Sequence, residues 1–408
     1  MVIRMDSLIQ VLAQALDLVE IALIGATTNH GKRIAVLCSA MGRRLGLPIE
    51  ELSDLVSCAL LHDNALTEYI LLQQGREEDN PNLGTHCAIG QSNAEILPFN
   101  KSIEGFILYH HERADGQGPF GLSEGHFPLQ AELIAISDMI DAERHLESIA
   151  TGSLVDLRKN IEAEIHNRFT ERAGNALLDV FDENMLSSLR NDKITETTNN
   201  MIPVWTRDMN DPALVPFAEF ISHIIDRKSI TTGTHTEQIA NRIWLMSEFY
   251  GYDMTEKIKL FLAAALHDIG KLAIPSEILE KPGKLNKDEF GVIKNHVSKT
   301  HSLLSEMEGL GLITEWASNH HEKLDGSGYP RGLKADQLDF NSRLMTCIDI
   351  YQAVSEKRPY HSGRDHGETM LILREMADAG KIDSGIVNDI DKVMAELSGR
   401  NLPRPKLN

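Results

Sequence analysis

Two neighbouring residues that could do metal chemistry, His267 and Asp268, end an apolar run of the sequence and are followed by Gly270 and Lys271. The apolar residues before them predict a buried helix, with the pair at its inner end. A buried carboxylate without a partner is destabilised by several kcal/mol, so Asp268 needs a cation beside it. A metal ion held by Asp268 and imidazoles would be such a cation, and Lys271 could bind a phosphate oxygen one helical turn away.

Other histidines and a second aspartate follow along the same half of the chain. The candidate metal ligands are His235, His267, Asp268, His296, His320, His321 and Asp349. A single such histidine is better explained as a hydrogen-bonded helix residue, but the ordered set has more donors than a closed structural zinc site uses. We interpret the set as a two-metal hydrolytic centre. Because it has no thiolate, its donors favour iron, manganese, nickel or zinc.

The first half of the chain repeats these spacings. His30 and His62 are 32 positions apart, as are their counterparts in the second half, and a later pair of histidines is 24 positions apart in each half. The repeated set, which we interpret as a vestigial metal site, is His30, His62, Asp63, His86, His110, His111 and Asp138. Duplication of one unit explains the repeat better than chance does. We place the domain boundary near residue 200, giving domains 1–200 and 201–408, with a Thr- and Asn-rich linker at 192–203.

The elements that must position these residues are predicted to be helices. Apolar residues recur at helical spacing through both halves, with Gly, Pro and Asn between the runs. No stretch of the first half alternates like a convincing strand, and the aromatic content of 5% is low. The predicted fold class is all-α, with one helical bundle in each half.

Charge and cysteine content restrict the function classes. The 408 residues carry a net charge of −20, which argues against binding polymeric nucleic acid, because phosphate neutralisation needs clustered positive charge. Binding of a small anionic ligand in a locally basic pocket is compatible with this net charge. The four cysteines are scattered without a CxxC pair, which indicates buried thiols in a reducing cytoplasm. We expect no signal peptide and no membrane partner, because Asp17 and Glu20 interrupt the apolar N-terminal run and no uncharged run reaches about 18 residues.

The second half resembles the HD-GYP family of bacterial cyclic dinucleotide phosphodiesterases, from about residue 226 to residue 361. The motifs that carry the resemblance are Asp226-Arg227-Lys228-Ser229, Thr232-Gly233-Thr234-His235, His267-Asp268-Ile269-Gly270-Lys271, Ile274-Pro275, His296, His320-His321-Glu322, Gly328-Tyr329-Pro330, Arg343, Asp349 and Arg358-Pro359-Tyr360. The tandem arrangement with a degenerate first copy is similar to that of the Vibrio-type phosphodiesterases for cyclic GMP-AMP. The resemblance implies two HD-type helical bundles. It also implies hydrolysis of cyclic di-GMP or 3'3'-cyclic GMP-AMP to the linear dinucleotide and then to mononucleotides.

The resemblance also implies a metal assignment. One metal would be held by His235, His267, Asp268 and Asp349, and Asp268 would bridge to a second metal held by His296, His320 and His321. The cofactor would be two divalent ions, with iron or manganese ahead of nickel or zinc. Members with three metals have a Glu four residues before the first His, where this chain has Thr231, so we expect two.

Further residues are candidates for the reaction itself. Lys271, Tyr329, Arg343 and Arg358 would bind the substrate, with Lys271 and Asp268 catalytic, while Glu322 and Asp325 would orient the ligating imidazoles. The alternatives are a solvated lysine at a helix end, arginines in surface ion pairs, and a plain tight turn around Tyr329. The family often has a second Asp three residues after the last ligand, where this chain has Gln352.

The first copy lacks these reactive groups. Alignment of the repeats places Leu66, Pro119, Glu132 and Glu147 where the second copy has Lys271, Tyr329, Arg343 and Arg358. Carboxylates in place of two cations would repel a dianionic substrate, so we predict no turnover there. We expect residues 1–200 to be a structural or regulatory partner that packs on the catalytic half, and a homo-oligomer stays open.

Three functions compete. The sequence favours a metal-dependent phosphodiesterase acting on a cyclic dinucleotide. One alternative is a general HD-type nucleotidase or phosphomonoesterase. The Gly-Tyr-Pro loop and Arg358 favour the cyclic dinucleotide phosphodiesterase over this alternative. The other is a non-catalytic cyclic dinucleotide receptor, which is disfavoured because His267, Asp268 and Lys271 are all intact.

Overall fold

The computed structural model describes residues 2–24, 28–66, 83–148, 154–228, 234–279, 281, 283–305, 307, 309–356, 363–397, 402–403 and 405. The regular structure of this part of the chain consists of eighteen α-helices, two short 3₁₀ helices and two three-residue strands. The predicted all-α class is confirmed. The strands β1 (Val2–Arg4) and β2 (Thr206–Asp208) pair with each other.

The chain divides into two compact units, Arg4–Thr206 and Arg207–Asn408, the latter with Met1–Ile3. The described helices of the first unit are α1 (Met5–Ile24), α2 (His30–Arg44), α3 (Ile49–Leu60), α4 (Leu83–Ala94), α5 (Leu129–Arg144), α6 (Leu154–Glu164), α7 (Glu171–Val180), α8 (Glu183–Ser188) and α9 (Ile194–Met201). Those of the second unit are α10 (Leu214–Arg227), α11 (His235–Phe249), α12 (Met254–Leu266), α13 (Ser276–Leu279), α14 (Lys287–Ser305), α15 (Gly311–Ser318), α16 (Phe340–Ser355), α17 (His366–Asp378) and α18 (Ser384–Ala395). The 3₁₀ helices are Ile269–Ala273 and Ala335–Gln337.

The helices that carry the repeated residues correspond between the units. Both α2 and α11 span 15 residues and begin at a histidine. Both α5 and α16 span 16 residues and carry an aspartate, Asp138 or Asp349, at the same position along the helix. The internal repeat of the sequence is therefore also a repeat of helices.

Helix α12 brings the His-Asp pair into the interior of the second unit. The Asp253 side chain caps its first turn by accepting from the Glu256 backbone N–H at 2.9 Å. Every residue from Ile258 to Leu266 is buried, and burial of each large apolar side chain contributes roughly 1.5–3 kcal/mol. His267 and Asp268 directly follow this anchored helix and are themselves buried.

Most of the stretch that composition suggested as a linker is folded. Helix α9 covers Ile194–Met201 and buries Ile194 and Thr198, and the Thr198 hydroxyl donates to the Ile194 carbonyl at 2.6 Å. Threonine and asparagine are common in loops, but they do not prevent a short helix whose apolar side is covered. The chain passes from the first unit to the second between Thr206 and Arg207.

Across the described ranges, no helix is both long enough and apolar enough to cross a membrane.

Candidate metal centre

The seven predicted ligands of the second half lie together, and we call them the C-terminal centre. His235 begins α11, His267 and Asp268 follow α12, His296 lies in α14, His320 and His321 follow α15, and Asp349 lies in α16. The donor atoms form two groups, within each of which all atoms lie within 4.8 Å of one another. One group is His235, His267 and Asp268, and the other is His296, His320 and His321.

Asp268 is the residue that joins the two groups. Its Oδ2 atom lies 3.0 Å from His267 Nε2, and its Oδ1 atom lies 3.2 Å from His296 Nε2. Asp349 also lies between the two groups. Its Oδ1 atom lies 3.7 Å from His235 Nε2, and its Oδ2 atom lies 3.4 Å from His321 Nδ1. A carboxylate placed between two groups of imidazoles has the position that a bridging ligand requires.

Three of the imidazoles are held in one orientation by the backbone. The Nδ1 atoms contact the carbonyl oxygens three residues earlier, from His267 to Ala264 (2.7 Å), from His296 to Ile293 (2.6 Å) and from His320 to Ala317 (2.6 Å). A carbonyl can only accept, so each Nδ1 carries the proton and each Nε2 presents its lone pair to the centre. His267 Nε2 is buried, and no group in the described ranges bonds it with hydrogen-bond geometry. These donors therefore fit a metal ion.

Gly270 explains how the His-Asp turn reaches α14. A Cβ atom on Gly270 would lie 2.1 Å from the carbonyl oxygen of His296, which excludes any larger residue. The Gly270 N–H donates to Thr300 Oγ1 at 3.1 Å, and that hydroxyl donates to the His267 carbonyl at 2.9 Å. The turn is thereby bound to α14, which sets Asp268 against His296.

Burial and neighbouring charges set the protonation of the centre. Burial raises the pKa of Asp268, but His267 and Lys271 outweigh it and hold that pKa well below its ordinary value. Burial, helped by neighbouring imidazoles, keeps the pKa of His320 well below its ordinary value, and burial lowers the pKa of His321 to about 4. An ionised carboxylate beside neutral imidazoles is the protonation state that binds metal.

His235 differs from the other imidazoles. Burial lowers its pKa, but hydrogen bonds to Asp349 and Glu356 raise it to about 9. Its Nδ1 atom lies 3.0 Å from Glu356 Oε2, so a carboxylate orients this ring where a backbone carbonyl orients the others. Sequence reasoning missed Glu356. The signal that could have found it is its spacing of seven residues, two helical turns, from Asp349.

Lys271 and Tyr329 lie beside the centre. Lys271 Nζ contacts Asp268 Oδ2 at 2.5 Å, and the Lys271 side chain is 25% exposed. The Tyr329 ring centroid lies 4.8 Å from that of His321. Lys294, which the sequence did not single out, places Nζ 5.0 Å from the Tyr329 ring centroid. Lys271 therefore places a cation at the centre, and Lys294 places a second cation against the neighbouring Tyr329 ring.

The structure places Arg343, a predicted substrate ligand, in a network of contacts within the protein. Its guanidinium donates to the carbonyls of Leu338 at 2.9 Å and Ala335 at 2.5 Å, and it pairs with Asp383 at 3.2 Å. All three nitrogens are engaged within the protein, so Arg343 ties the loop before α16 to the start of α18. The other arginine candidate, Arg358, lies outside the described residues.

The roles predicted for Glu322 and Asp325 are corrected. Glu322 is fully buried and accepts the backbone N–H groups of Arg331 at 2.7 Å and Leu333 at 2.9 Å. Asp325 accepts the backbone N–H and the hydroxyl of Ser327. Both carboxylates organise the loop that contains Tyr329, and neither bonds an imidazole in the described part of the chain. Loop carboxylates next to histidines look alike in sequence whichever group they bind.

The seven repeated residues of the first half also converge, and we call them the N-terminal centre. Their donor atoms again form two groups within 4.8 Å, namely His30, His62 and Asp63, and His86, His110 and His111. Asp138 Oδ1 lies 3.2 Å from His30 Nε2. Glu132, which stands at the position of Arg343 in this half, is bonded within the protein. It is buried and accepts from the backbone N–H and the hydroxyl of Thr170, which caps α7.

Comparisons with known proteins agree with this arrangement. A family profile described as HD domain matches residues 219–386. The chain is 28% identical to 3'3'-cGAMP-specific phosphodiesterase 1 of Vibrio cholerae over 93% of this chain and 89% of that protein. It is 39% identical to a cyclic di-GMP phosphodiesterase of Pseudomonas aeruginosa over 29% of this chain and 28% of that protein.

A solved structure matches almost the whole fold. The cyclic GMP-AMP specific phosphodiesterase V-cGAP3 of V. cholerae superposes with a TM-score of 0.66 at 24% identity, covering 97% of this chain and 98% of that chain. This match shows that the chain has the same all-helical fold as that structure. Residues 219–386 thus match the HD domain family, and the chain is homologous over most of its length to the Vibrio cGAMP-specific HD-GYP phosphodiesterases.

Proposed function

We propose that this chain is a metal-dependent phosphodiesterase that hydrolyses a bacterial cyclic dinucleotide, 3'3'-cyclic GMP-AMP or cyclic di-GMP, to the linear dinucleotide. The observation that carries the proposal is the C-terminal centre, in which five imidazoles and two carboxylates meet beside Lys271. Relatives named for 3'3'-cGAMP and for cyclic di-GMP support the substrate class. We expect a cytoplasmic protein, because its four cysteines are free and buried thiols.

We infer that the C-terminal centre holds two divalent ions, with iron or manganese ahead of nickel or zinc. The imidazole and carboxylate donors suit all four metals. Asp268 would be shared between the ions, since its two oxygens face different groups of histidines. When bound, such ions supply an activated water at neutral pH and neutralise charge on the phosphate during in-line displacement.

The residues around the centre have separate roles in this proposal. Lys271 Nζ donates a hydrogen bond to a non-bridging phosphate oxygen and stabilises the charge that develops there. The ring of Tyr329 offers an aromatic face on which a base can stack. Lys294 adds positive charge at this edge, which attracts an anionic substrate to a protein whose net charge is −20.

The first unit is proposed to be a structural or regulatory partner without turnover of its own. Leu66 occupies the place that Lys271 has in the second unit, so no ammonium is available there to bind the reacting phosphate. A homo-oligomer is compatible with this proposal.

Chromatography of the reaction products tests the function. The full-length protein, loaded with Mn²⁺ or Fe²⁺, is incubated with 3'3'-cyclic GMP-AMP, cyclic di-GMP and cyclic di-AMP, and with a nucleoside monophosphate. We expect linear dinucleotides from at least one cyclic substrate, and loss of product with Asp268→Asn. The matched control is Lys392→Ala, which removes an exposed lysine of α18 and should leave turnover unchanged. Release of phosphate from the monophosphate alone would favour a general nucleotidase, and binding without any product would favour a receptor.

A further inference from the structure

We propose that the N-terminal centre is a resident divalent-metal site and not a remnant. Its arrangement corresponds to that of the C-terminal centre, with the two oxygens of Asp63 facing two groups of histidines as those of Asp268 do. Asp63 Oδ1 lies 2.7 Å from His86 Nε2, and Asp63 Oδ2 lies 3.5 Å from His62 Nε2. The inference does not depend on the proposed hydrolysis, since it concerns metal binding in the other unit.

Two imidazoles of this centre present unpaired nitrogen atoms to its middle. His62 Nδ1 contacts the Ala59 carbonyl at 2.9 Å, and His110 Nδ1 contacts the Ile107 carbonyl at 2.6 Å. The opposite atoms, His62 Nε2 and His110 Nε2, are buried and have no hydrogen-bond partner among the described residues. A buried, oriented lone pair without a donor is unfavourable unless a cation occupies the space between the rings.

A buried ion pair supports the ligand His30. Asp141 Oδ2 lies 2.7 Å from His30 Nδ1, and both Asp141 oxygens are bound by the Arg33 guanidinium, at 2.5 Å and 2.9 Å. Arg33 and Asp141 are fully or almost fully buried. A buried ion pair is weak evidence of stability in itself, whereas a carboxylate that fixes the ring of a metal-binding histidine is a recurrent feature of metal sites.

The C-terminal centre lacks this support. Gln238 and Gln352 occupy the positions of Arg33 and Asp141, three residues after the corresponding ligands, and Gln352 Nε2 donates to Gln238 Oε1 at 3.1 Å. Glu356 orients His235 instead. In both centres a carboxylate therefore orients the first histidine, and in the N-terminal centre that carboxylate is itself held by the buried Arg33 guanidinium.

The donors of the N-terminal centre suit a cation, but Leu66 stands where the second unit has the phosphate-binding ammonium of Lys271. These donors lie in α2, α4 and α5 and in the segments that follow α3 and α4, so bound metal would join five separate parts of the first unit. A cavity of about 740 Å³, lined in part by His110, His111 and Asp138, borders the centre. Mixed imidazole and carboxylate donors select a divalent ion such as Mn²⁺, Fe²⁺ or Zn²⁺.

Metal content of variants of the full chain tests the proposal. In the double variant His267→Gln/Asp268→Asn the C-terminal centre is disabled, and the protein is loaded with Mn²⁺, desalted and measured by elemental analysis. We expect this variant to retain bound metal, and we expect the metal to be lost when His62→Gln/Asp63→Asn is added. His126→Gln, at an exposed histidine of the same unit, is the matched control and should leave the metal content unchanged. A double variant that is folded by circular dichroism but carries no metal would overturn the proposal.

A second variant separates metal binding from folding. The exchange Arg33→Gln/Asp141→Gln copies the neutral pair of the C-terminal centre and leaves no unpaired charge. In the background with the disabled C-terminal centre, we expect it to weaken Mn²⁺ binding by about 10- to 100-fold. Added Mn²⁺ should also raise the Tm of the variant whose C-terminal centre is disabled. The rise in Tm should be smaller when that variant also carries Arg33→Gln/Asp141→Gln. Unchanged affinity and no Tm response to metal would count against the site. Hydrolysis by the wild type is a separate readout, so its absence would leave this result intact.

Discussion

The carboxylate of Glu356 lies 3.0 Å from Nδ1 of His235, on the side of the ring away from Asp349. This contact gives His235 an orienting group of a different kind from that of the other ligands. It also joins the end of α16 to the start of α11, the two helices that carry Asp349 and His235.

Removing this carboxylate charge should weaken metal binding at the C-terminal centre. We expect Glu356→Gln to lower the affinity for Mn²⁺ by about 10- to 100-fold, because an amide orients the imidazole but does not raise its basicity as a carboxylate does. Turnover at limiting Mn²⁺ should fall by a similar factor and recover when Mn²⁺ is in excess. Glu277→Gln, in α13, serves as the control. Activity that stays low at saturating metal would point to a role in catalysis other than metal binding.

Lys271 should matter for the reaction and not for the metal. We expect Lys271→Ala to lower kcat/KM by on the order of 10²–10³-fold, because a donor to the developing phosphate charge is lost. Metal content per chain should match that of the wild type. A decrease of metal content in parallel with activity would instead assign Lys271 to support of Asp268, which it contacts at 2.5 Å.

Arg343 should contribute to stability and not to substrate binding. Arg343→Ala removes hydrogen bonds to two backbone carbonyls and an ion pair with Asp383, so we expect a loss of about 1–3 kcal/mol in the free energy of unfolding. The KM for the cyclic dinucleotide should not change. Arg374→Ala, at a more exposed ion pair with Asp391, should change stability by less than about 0.5 kcal/mol. A large rise in KM with unchanged stability would restore the sequence-based assignment.

Gly270 should not tolerate a side chain. Gly270→Ala places Cβ against the His296 carbonyl at 2.1 Å, so the turn and α14 must separate, and we expect destabilisation by about 1–3 kcal/mol together with loss of bound metal. Gly291→Ala is the matched control in the same helix as His296. Its Cβ would meet nothing within 4 Å, so we expect stabilisation by about 0.5–1 kcal/mol. Denaturant unfolding of both variants measures the difference.

The sequence predicted the all-α fold and which residues would gather, because both follow from spacing. Ligands separated by the same intervals in two halves must fall on equivalent helices, and His267 had to be buried after an apolar helix. The sequence did not predict which group each polar side chain would bind. Arg343 and Glu322 satisfy loop backbone groups, and those partners are set by tertiary packing that no local pattern records. Gln352 was noticed only as a departure from the family, whereas its partner Gln238 became visible only in three dimensions.

The backbone carbonyls that hold the imidazoles have an evolutionary consequence. A carbonyl is present at every position whatever the side chain, so substitution of Ala264, Ile293 or Ala317 by another helix-compatible residue leaves the ring above it aimed as before. Duplicated halves built in this way can drift far apart in surrounding sequence while each still gathers the same kinds of donor atom.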